Sequence, residues 1–225
     1  MIREKIQQAV GIMQELNIDA WLIFGRESHT STDPCGPLVV GAGYTWASAF
    51  IITRTGRTIA IVGSLDAAEI QKRGDYATVI TYVGGVRDAL RQTLTELDPA
   101  TIAINYSYDD VMADGLSHGM YLLLVRNLEG TPYPDRLVPS ERLIAALRGR
   151  KSPEEVRRIQ RAVTEAEKIF QAVTGFIRPG RTERQIHEFV LQRVRETGFE
   201  LAWDEVHCPA VFTGVPDHGE AHTGP

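Results

Sequence analysis

The stretch SAFIITRTGRTIAIVG, residues 48–63, constrains the fold more than any other part of the chain. It holds two apolar, β-branched runs, 48–53 and 58–63, divided by Arg54, Thr55, Gly56 and Arg57. Runs of this composition separated by a short glycine-containing turn predict an antiparallel hairpin. What surrounds the hairpin decides the class. Ile2, Ile6, Ala9, Val10, Met13 and Leu16 fall on one face of a helix that stops at Asn17, and a compact apolar strand follows over 20–24. Further buried runs, ATVITYV and TIAINYS, alternate with helical stretches at 64–73, 86–97 and 117–128. Strands interleaved with helices of this length predict an α/β layer structure, and the hairpin makes its sheet mixed rather than purely parallel. Residues 1–147 are accounted for as one such domain.

The chain then changes character. In LRGRKSPEEVRRIQRAV, Ser152 is placed to cap a helix, Pro153 stands at its first position, and Glu155 completes a capping box. Val156, Ile159, Val163, Ala166, Phe170, Val173 and Ile177 repeat at helical spacing up to Pro179 and Gly180, which predicts a core-facing helix. A second capping box, Thr182 with Gln185, opens another helix that would bury Ile186, Phe189, Val190 and Val194 and end near Gly198. His187 lies off that stripe and reads as a solvated histidine. LAWDEVHCPAVFTG is apolar and β-branched enough to predict a strand.

Composition narrows the function classes. With 225 residues, 43% hydrophobic and 24% charged, the chain has the make-up of an ordinary globular protein. A net charge of -5 with scattered Lys and Arg argues against nucleic acid as the main partner. No apolar run reaches the ~20 residues of a membrane helix, and the amino terminus alternates charges with apolar residues rather than forming a signal h-region. Cys35 and Cys208, far apart in sequence, read as free thiols. The expectation is a soluble cytoplasmic protein with no membrane contact.

Candidate chemistry concentrates at DHGEAHTGP, where Asp217, His218, Glu220 and His222 crowd together. His218 and His222 have the i, i+4 spacing of a zinc-peptidase helix, but the acid is misplaced, and Gly214, Pro216, Gly219, Gly224 and Pro225 deny the stretch a helix. No nucleophile elbow, phosphate loop or dinucleotide fingerprint occurs elsewhere. The ADGLSHG segment, with Asp114 and His118, reads as ordinary loop polarity.

Three segments carry a resemblance. RGRKSPEEVRRIQRA, FIRPGRTERQI and CPAVFTG leading to His222 resemble, in order and spacing, the opening of the catalytic domain in the creatinase, prolidase and aminopeptidase P family, the pita-bread peptidases. The matching positions are Arg148, Lys151, Glu155, Pro179, Gly180, Thr182, Glu183, Pro209, Gly214 and His222. Residues 1–147, with SAFIIT, RTGRTIAIV and SERLIAALRGRKS, resemble the family's amino-terminal domain in architecture. The resemblance implies a creatinase-type α/β domain over 1–147 and, over 148–225, the first part of an α+β pita-bread domain, truncated before the metal ligands.

Members of that family hold two divalent metals, manganese, cobalt or zinc, with two Asp, a His and two Glu. They use a bridging hydroxide to hydrolyse peptide bonds next to proline. The resemblance places all five ligands beyond His222, so none is expected in this chain, which is expected to be inactive alone. It makes His222 a residue facing the substrate, suited by the ordinary imidazole pKa to donate or accept a proton. The same residue is the acid and base of the metal-free creatinases, so an amidinohydrolase stays open, as does a non-catalytic relative that binds peptides or proteins. Family homodimers lay the amino-terminal domain over the partner's active-site mouth. The loop GRESHTSTDPCG, with Arg26, His29 and Asp33, and beyond it Trp46, could stand at that substrate entrance.

Overall fold

A computed structural model describes residues 1–31 and 33–212. They fall into two compact units, Met1–Ser152 and a second from Pro153 onward. The first unit reaches past 147 because the segment leading to Ser152 is tied to the first helix. Lys5 Nζ donates to the carbonyls of Leu147 and Arg150, and Ser152 Oγ donates to Glu4 Oε2 at 3.0 Å.

The first unit runs α1 (Ile2–Leu16), β1 (Ala20–Gly25), a short α2 (Gly36–Val39), β2 (Ser48–Thr53), β3 (Thr58–Gly63), α3 (Ala67–Arg73), β4 (Thr78–Tyr82), α4 (Arg87–Leu97), β5 (Ile102–Ile104), α5 (His118–Leu128), β6 (Leu137–Pro139) and α6 (Glu141–Gly149). The strands form one sheet in the order β4-β3-β2-β1-β5-β6. β2 pairs antiparallel with β1 and β3, while β1–β5, β5–β6 and β3–β4 are parallel. β2 alone therefore runs against the other five. The expected hairpin is present: Ile51 faces Ile59 and Ala49 faces Ile61, and Thr53 Oγ1 takes the Arg57 N–H at 3.0 Å to close its turn.

Alternation within each strand feeds two cores. Trp21, Ile23, Phe50, Ile52, Ala60 and Val62 pack with the buried sides of α1, α2, α3 and α6. Leu22, Phe24, Ala49, Ile51, Ile59 and Ile61 pack with Leu90 and Leu94 of α4 and Met120, Leu124 and Leu128 of α5. Both faces are covered, which explains why β1, β2 and β3 are almost wholly apolar rather than alternating. The exposed margins fall to β4 and to the three-residue β6, whose proline suits an edge. α1 ends where the sequence placed its stop, with Asn17 in the left-handed region at φ 55°.

The second unit contains α7 (Pro153–Phe176) and α8 (Glu183–Thr197). The second capping box forms as read: Thr182 Oγ1 accepts the Gln185 N–H and Gln185 Oε1 accepts the Thr182 N–H. Phe176 stacks on Phe189 with ring centroids 4.1 Å apart. Three expectations change here. The stripe of α7 exists but is uncovered: α7 buries no residue, and Val163 and Phe170 are exposed. No strand forms over the described part of LAWDEVHCPAVFTG, because the unit offers no neighbouring strand among its described residues. Trp203 and Val206 stand in solvent, and Asp204 Oδ1 accepts the His207 N–H in a turn. His187 is half-buried rather than solvated, its Nδ1 2.9 Å from the Pro209 carbonyl. Among the described residues no helix is long and apolar enough to cross a membrane.

Candidate functional site

Because β1, β3, β4, β5 and β6 all point one way, the loops leaving their carboxyl ends gather on one rim of the first unit. Such a rim, at the place where strand direction or order changes, is where α/β sheets take ligands. β1 occupies that place, with the reversed β2 on one side and the parallel β5 on the other. The loop 26–47 leaves β1, and the loop 105–117 leaves β5.

Asn105 joins the two loops. Its backbone is fixed by the Leu116 N–H, which donates to the Asn105 carbonyl at 2.7 Å. Its side-chain oxygen accepts from Trp21 Nε1 at 2.6 Å and from Ser140 Oγ at 2.9 Å. Its Nδ2 donates to Asp33 Oδ2 at 2.8 Å, and the other carboxylate oxygen accepts the Cys35 N–H at 2.8 Å. Loop 105–117 closes tightly on this carboxylate: a Cβ at position 115 would lie 2.2 Å from Asp33 Oδ2, so a larger residue there would have to displace it. Burial raises the Asp33 pKa, against the opposing pull of the Asn105 and Cys35 donors. Burial and the neighbouring Asp33 charge push the Cys35 thiol up to about 12, and the same two causes push the Tyr44 phenol up to about 12.

The sequence-derived candidates separate in space. Asp33, 5% exposed, is a buried carboxylate that also edges a cavity of about 350 Å³. His29 lines the same cavity, together with Ser28 and Tyr44, whose N–H donates to Ser28 Oγ at 2.8 Å. Trp46 does not line it. The indole lies against the backbone of Gly63 and 6.0 Å from the Tyr82 ring, which donates its hydroxyl to the Ala47 carbonyl. Arg26 is exposed, with no hydrogen bond or ion pair to another described residue. His222 and the rest of DHGEAHTGP lie outside the described residues. Among the described residues no three His, Cys, Asp or Glu side chains come together as a metal site.

Sequence reasoning missed Asn105, hidden at the end of an apolar run, and the tyrosines beyond it. Tyr106, Tyr108 and Tyr121 border a cavity of about 480 Å³ together with Asp114 and His118. The pattern NYSYDD, aromatic and acidic residues directly after a buried strand, was the available signal.

The first unit is thus a three-layer α/β domain with a six-stranded mixed sheet and its loops gathered at the carboxyl ends. No family model matches the chain, and no curated protein matches it. Solved structures do. An Xaa-Pro dipeptidase from Bacillus anthracis is 19% identical, with a TM-score of 0.56, over 88% of this chain and 50% of that one. An X-Pro aminopeptidase from Thermotoga maritima is 20% identical, with a TM-score of 0.55, over 86% and 49%. The dipeptidase PepE from Mycobacterium ulcerans is 17% identical, with a TM-score of 0.56, over 85% and 48%. The chain spans about half the length of these structures. It has the fold expected of the creatinase and prolidase amino-terminal architecture, a mixed sheet flanked by helices.

Proposed function

We propose that these residues are the amino-terminal part of a metal-dependent Xaa-Pro dipeptidase or aminopeptidase, a hydrolase of peptide bonds next to proline. The observation that carries the reading is the extent of the likeness. Met1–Ser152 is 152 of 225 residues, about two thirds, so a match over 88% of the chain must take in residues of the second unit as well. A chance α/β likeness would stop at the first unit. The order of motifs over 148–222 supports the same reading. In it, two divalent metals bind to Asp, Asp, His, Glu and Glu residues beyond Pro225, and His222 hydrogen-bonds the substrate. The protein works in the cytoplasm as a homodimer. Arg26, His29, Asp33 and Trp46 stand on the rim that would border the partner's substrate entrance.

The test begins with the reading frame beyond codon 225. The product of the whole frame, purified and supplied with manganese, cobalt or zinc, is expected to cleave Xaa-Pro dipeptides or Xaa-Pro-Xaa tripeptides. The activity should vanish on chelation, and His222→Ala should lower kcat. The 225-residue chain alone is expected to cleave neither. A frame that lacks the five ligands, or a full product that leaves every proline peptide intact, overturns the peptidase reading. Metal-independent hydrolysis of an amidino substrate would replace it with the creatinase reaction.

A further inference from the structure

The cavity of about 480 Å³ beyond β5 has no part in the reading above, and its lining has a definite chemistry. Three phenol rings border it. Tyr106 and Tyr108 meet edge to face at 6.4 Å and 88°. Tyr121 comes from the first turn of α5, near enough that Tyr106 responds electrostatically to both other phenols. Leu116 forms an apolar floor. None of the three hydroxyls has a hydrogen-bond partner among the described residues, and Tyr108 is 94% exposed. Asp114 stands at the same cavity. One of its oxygens accepts a long bond from the Ser107 N–H at 3.4 Å, and the other has no partner among the described residues.

Of the residues that line the cavity, Asp114 is the one carboxylate, and there is no Lys or Arg. From Gln92 to Val125 the chain carries no Lys or Arg, whereas Asp109, Asp110 and Asp114 fall within the loop 105–117. Two features oppose a cation, the His118 imidazole when it is protonated and the amino terminus of α5 with its partial positive charge. The latter is about half an elementary charge, and part of it is already met by Ser117 Oγ, which accepts the Met120 N–H. The whole negative charge of Asp114 outweighs it.

We propose that this cavity binds an organic cation, an alkylammonium or guanidinium group, with the faces of Tyr106, Tyr108 and Tyr121 around it and the Asp114 carboxylate as counter-charge. Aromatic rings attract such cations through their negative faces, and weakly hydrated cations lose little water on entering. Each exposed ring is worth about a two- to fivefold gain in affinity, which puts the binding of a simple cation near ~1 mM.

The test uses the 225-residue chain and two matched pairs of probes, followed by calorimetry and by the chemical shifts of the tyrosine ring protons. Choline is compared with its neutral isostere 3,3-dimethylbutanol, and acetyl-arginine methylamide with acetyl-citrulline methylamide. At least one cation should saturate and bind about tenfold more tightly than its neutral partner. Asp114→Asn should weaken it about fivefold. Tyr108→Leu should weaken it two- to fivefold, whereas Tyr108→Phe should leave it unchanged, because the ring rather than the hydroxyl makes the contact. Tyr108 stands in solvent, so these variants fold. Saturation by choline alone would assign the site to small alkylammonium compounds, and saturation by the arginine derivative alone to a guanidinium carried by a peptide. Equal binding of the neutral isosteres, absence of saturation with either cation, or tighter binding of inorganic phosphate than of either cation would each overturn the proposal.

Discussion

Asn105 Nδ2 donates to Asp33 Oδ2 at 2.8 Å across 72 residues of sequence. The bond exists only because β1 and β5, distant in sequence, are neighbours in the sheet. Asn105 satisfies Trp21, Ser140 and Asp33 at once, all of them buried. Asn105→Ala leaves two donors and one carboxylate oxygen without this partner, so a loss of about 3 kcal/mol is expected. Urea unfolding of the two proteins measures it, and a loss below ~1 kcal/mol would show that water replaces the amide.

Asp33 itself makes stability depend on pH. Burial raises its folded pKa above the unfolded one, so the folded state binds the proton more tightly. Below the ordinary carboxylate range both states are protonated and burial of a charge costs nothing. As pH rises through that range towards the raised value, the unfolded state ionises first and stability falls; above it the full cost is in place. Asp33→Ala lowers stability overall but should remove this slope. Unfolding free energies between acid and neutral pH, compared for the two proteins, should differ in slope in that direction; an unchanged slope refutes the assignment.

Gly63 and Trp46 make a third prediction at the same rim. A Cβ on residue 63 would lie 2.5 Å from Trp46 Cε3, well inside contact distance. The backbone at Gly63 lies outside the left-handed region, so alanine is resisted by the indole alone. Gly63→Ala should therefore displace the indole, at a cost of about 1–3 kcal/mol. The displacement should change tryptophan emission; an unshifted spectrum with unchanged stability would mean that the ring yields freely.

How much of this was legible depended on range. The hairpin 48–63, the stop of α1 at Asn17 and the capping box of Thr182 with Gln185 are local, and each was written in adjacent residues. Asp33 read as a residue of an open substrate-entrance loop because nothing near it in sequence shows that the loop 105–117 will close over it. Tyr106 and Tyr108 belong to a loop and Tyr121 to a helix, so no single period groups them. The strand expected beyond Gly198 failed for a related reason. β-propensity describes fitness for a pleated surface with neighbours, and the described residues of that unit supply none.

The two cysteines should differ sharply in reactivity. Cys35 is fully buried with its thiol pKa near 12, and Sγ is directed at the Met112 carbonyl at 3.7 Å, whereas Cys208 is partly exposed. The thiolate is the reacting form, so native protein should present one fast thiol, Cys208, with the second released only on unfolding. An aromatic disulfide reagent such as DTNB counts both. Cys208→Ser should abolish the fast phase, and two equal phases in the native protein would contradict the burial of Cys35.

Lys5 is a fully buried basic residue on α1. Its Nζ donates to the Leu147 carbonyl at 2.6 Å, the Arg150 carbonyl at 3.0 Å and Gln8 Oε1 at 2.8 Å. The two carbonyls belong to the last turn of α6 and the residue just beyond it, where the helix dipole is negative and carbonyls lack helical partners. The ammonium therefore closes α6 and ties the start of the chain to the end of the first unit. Lys5→Met keeps the length of the side chain but leaves those carbonyls without it, and a loss of about 2–4 kcal/mol is expected. A smaller loss would show that the apolar packing of α1 on α6 suffices without the charge. Hydrogen exchange separates the two effects: loss of the ammonium tie should speed exchange selectively in the last turn of α6 and over 148–152, while a pure packing defect would spread through the shared core.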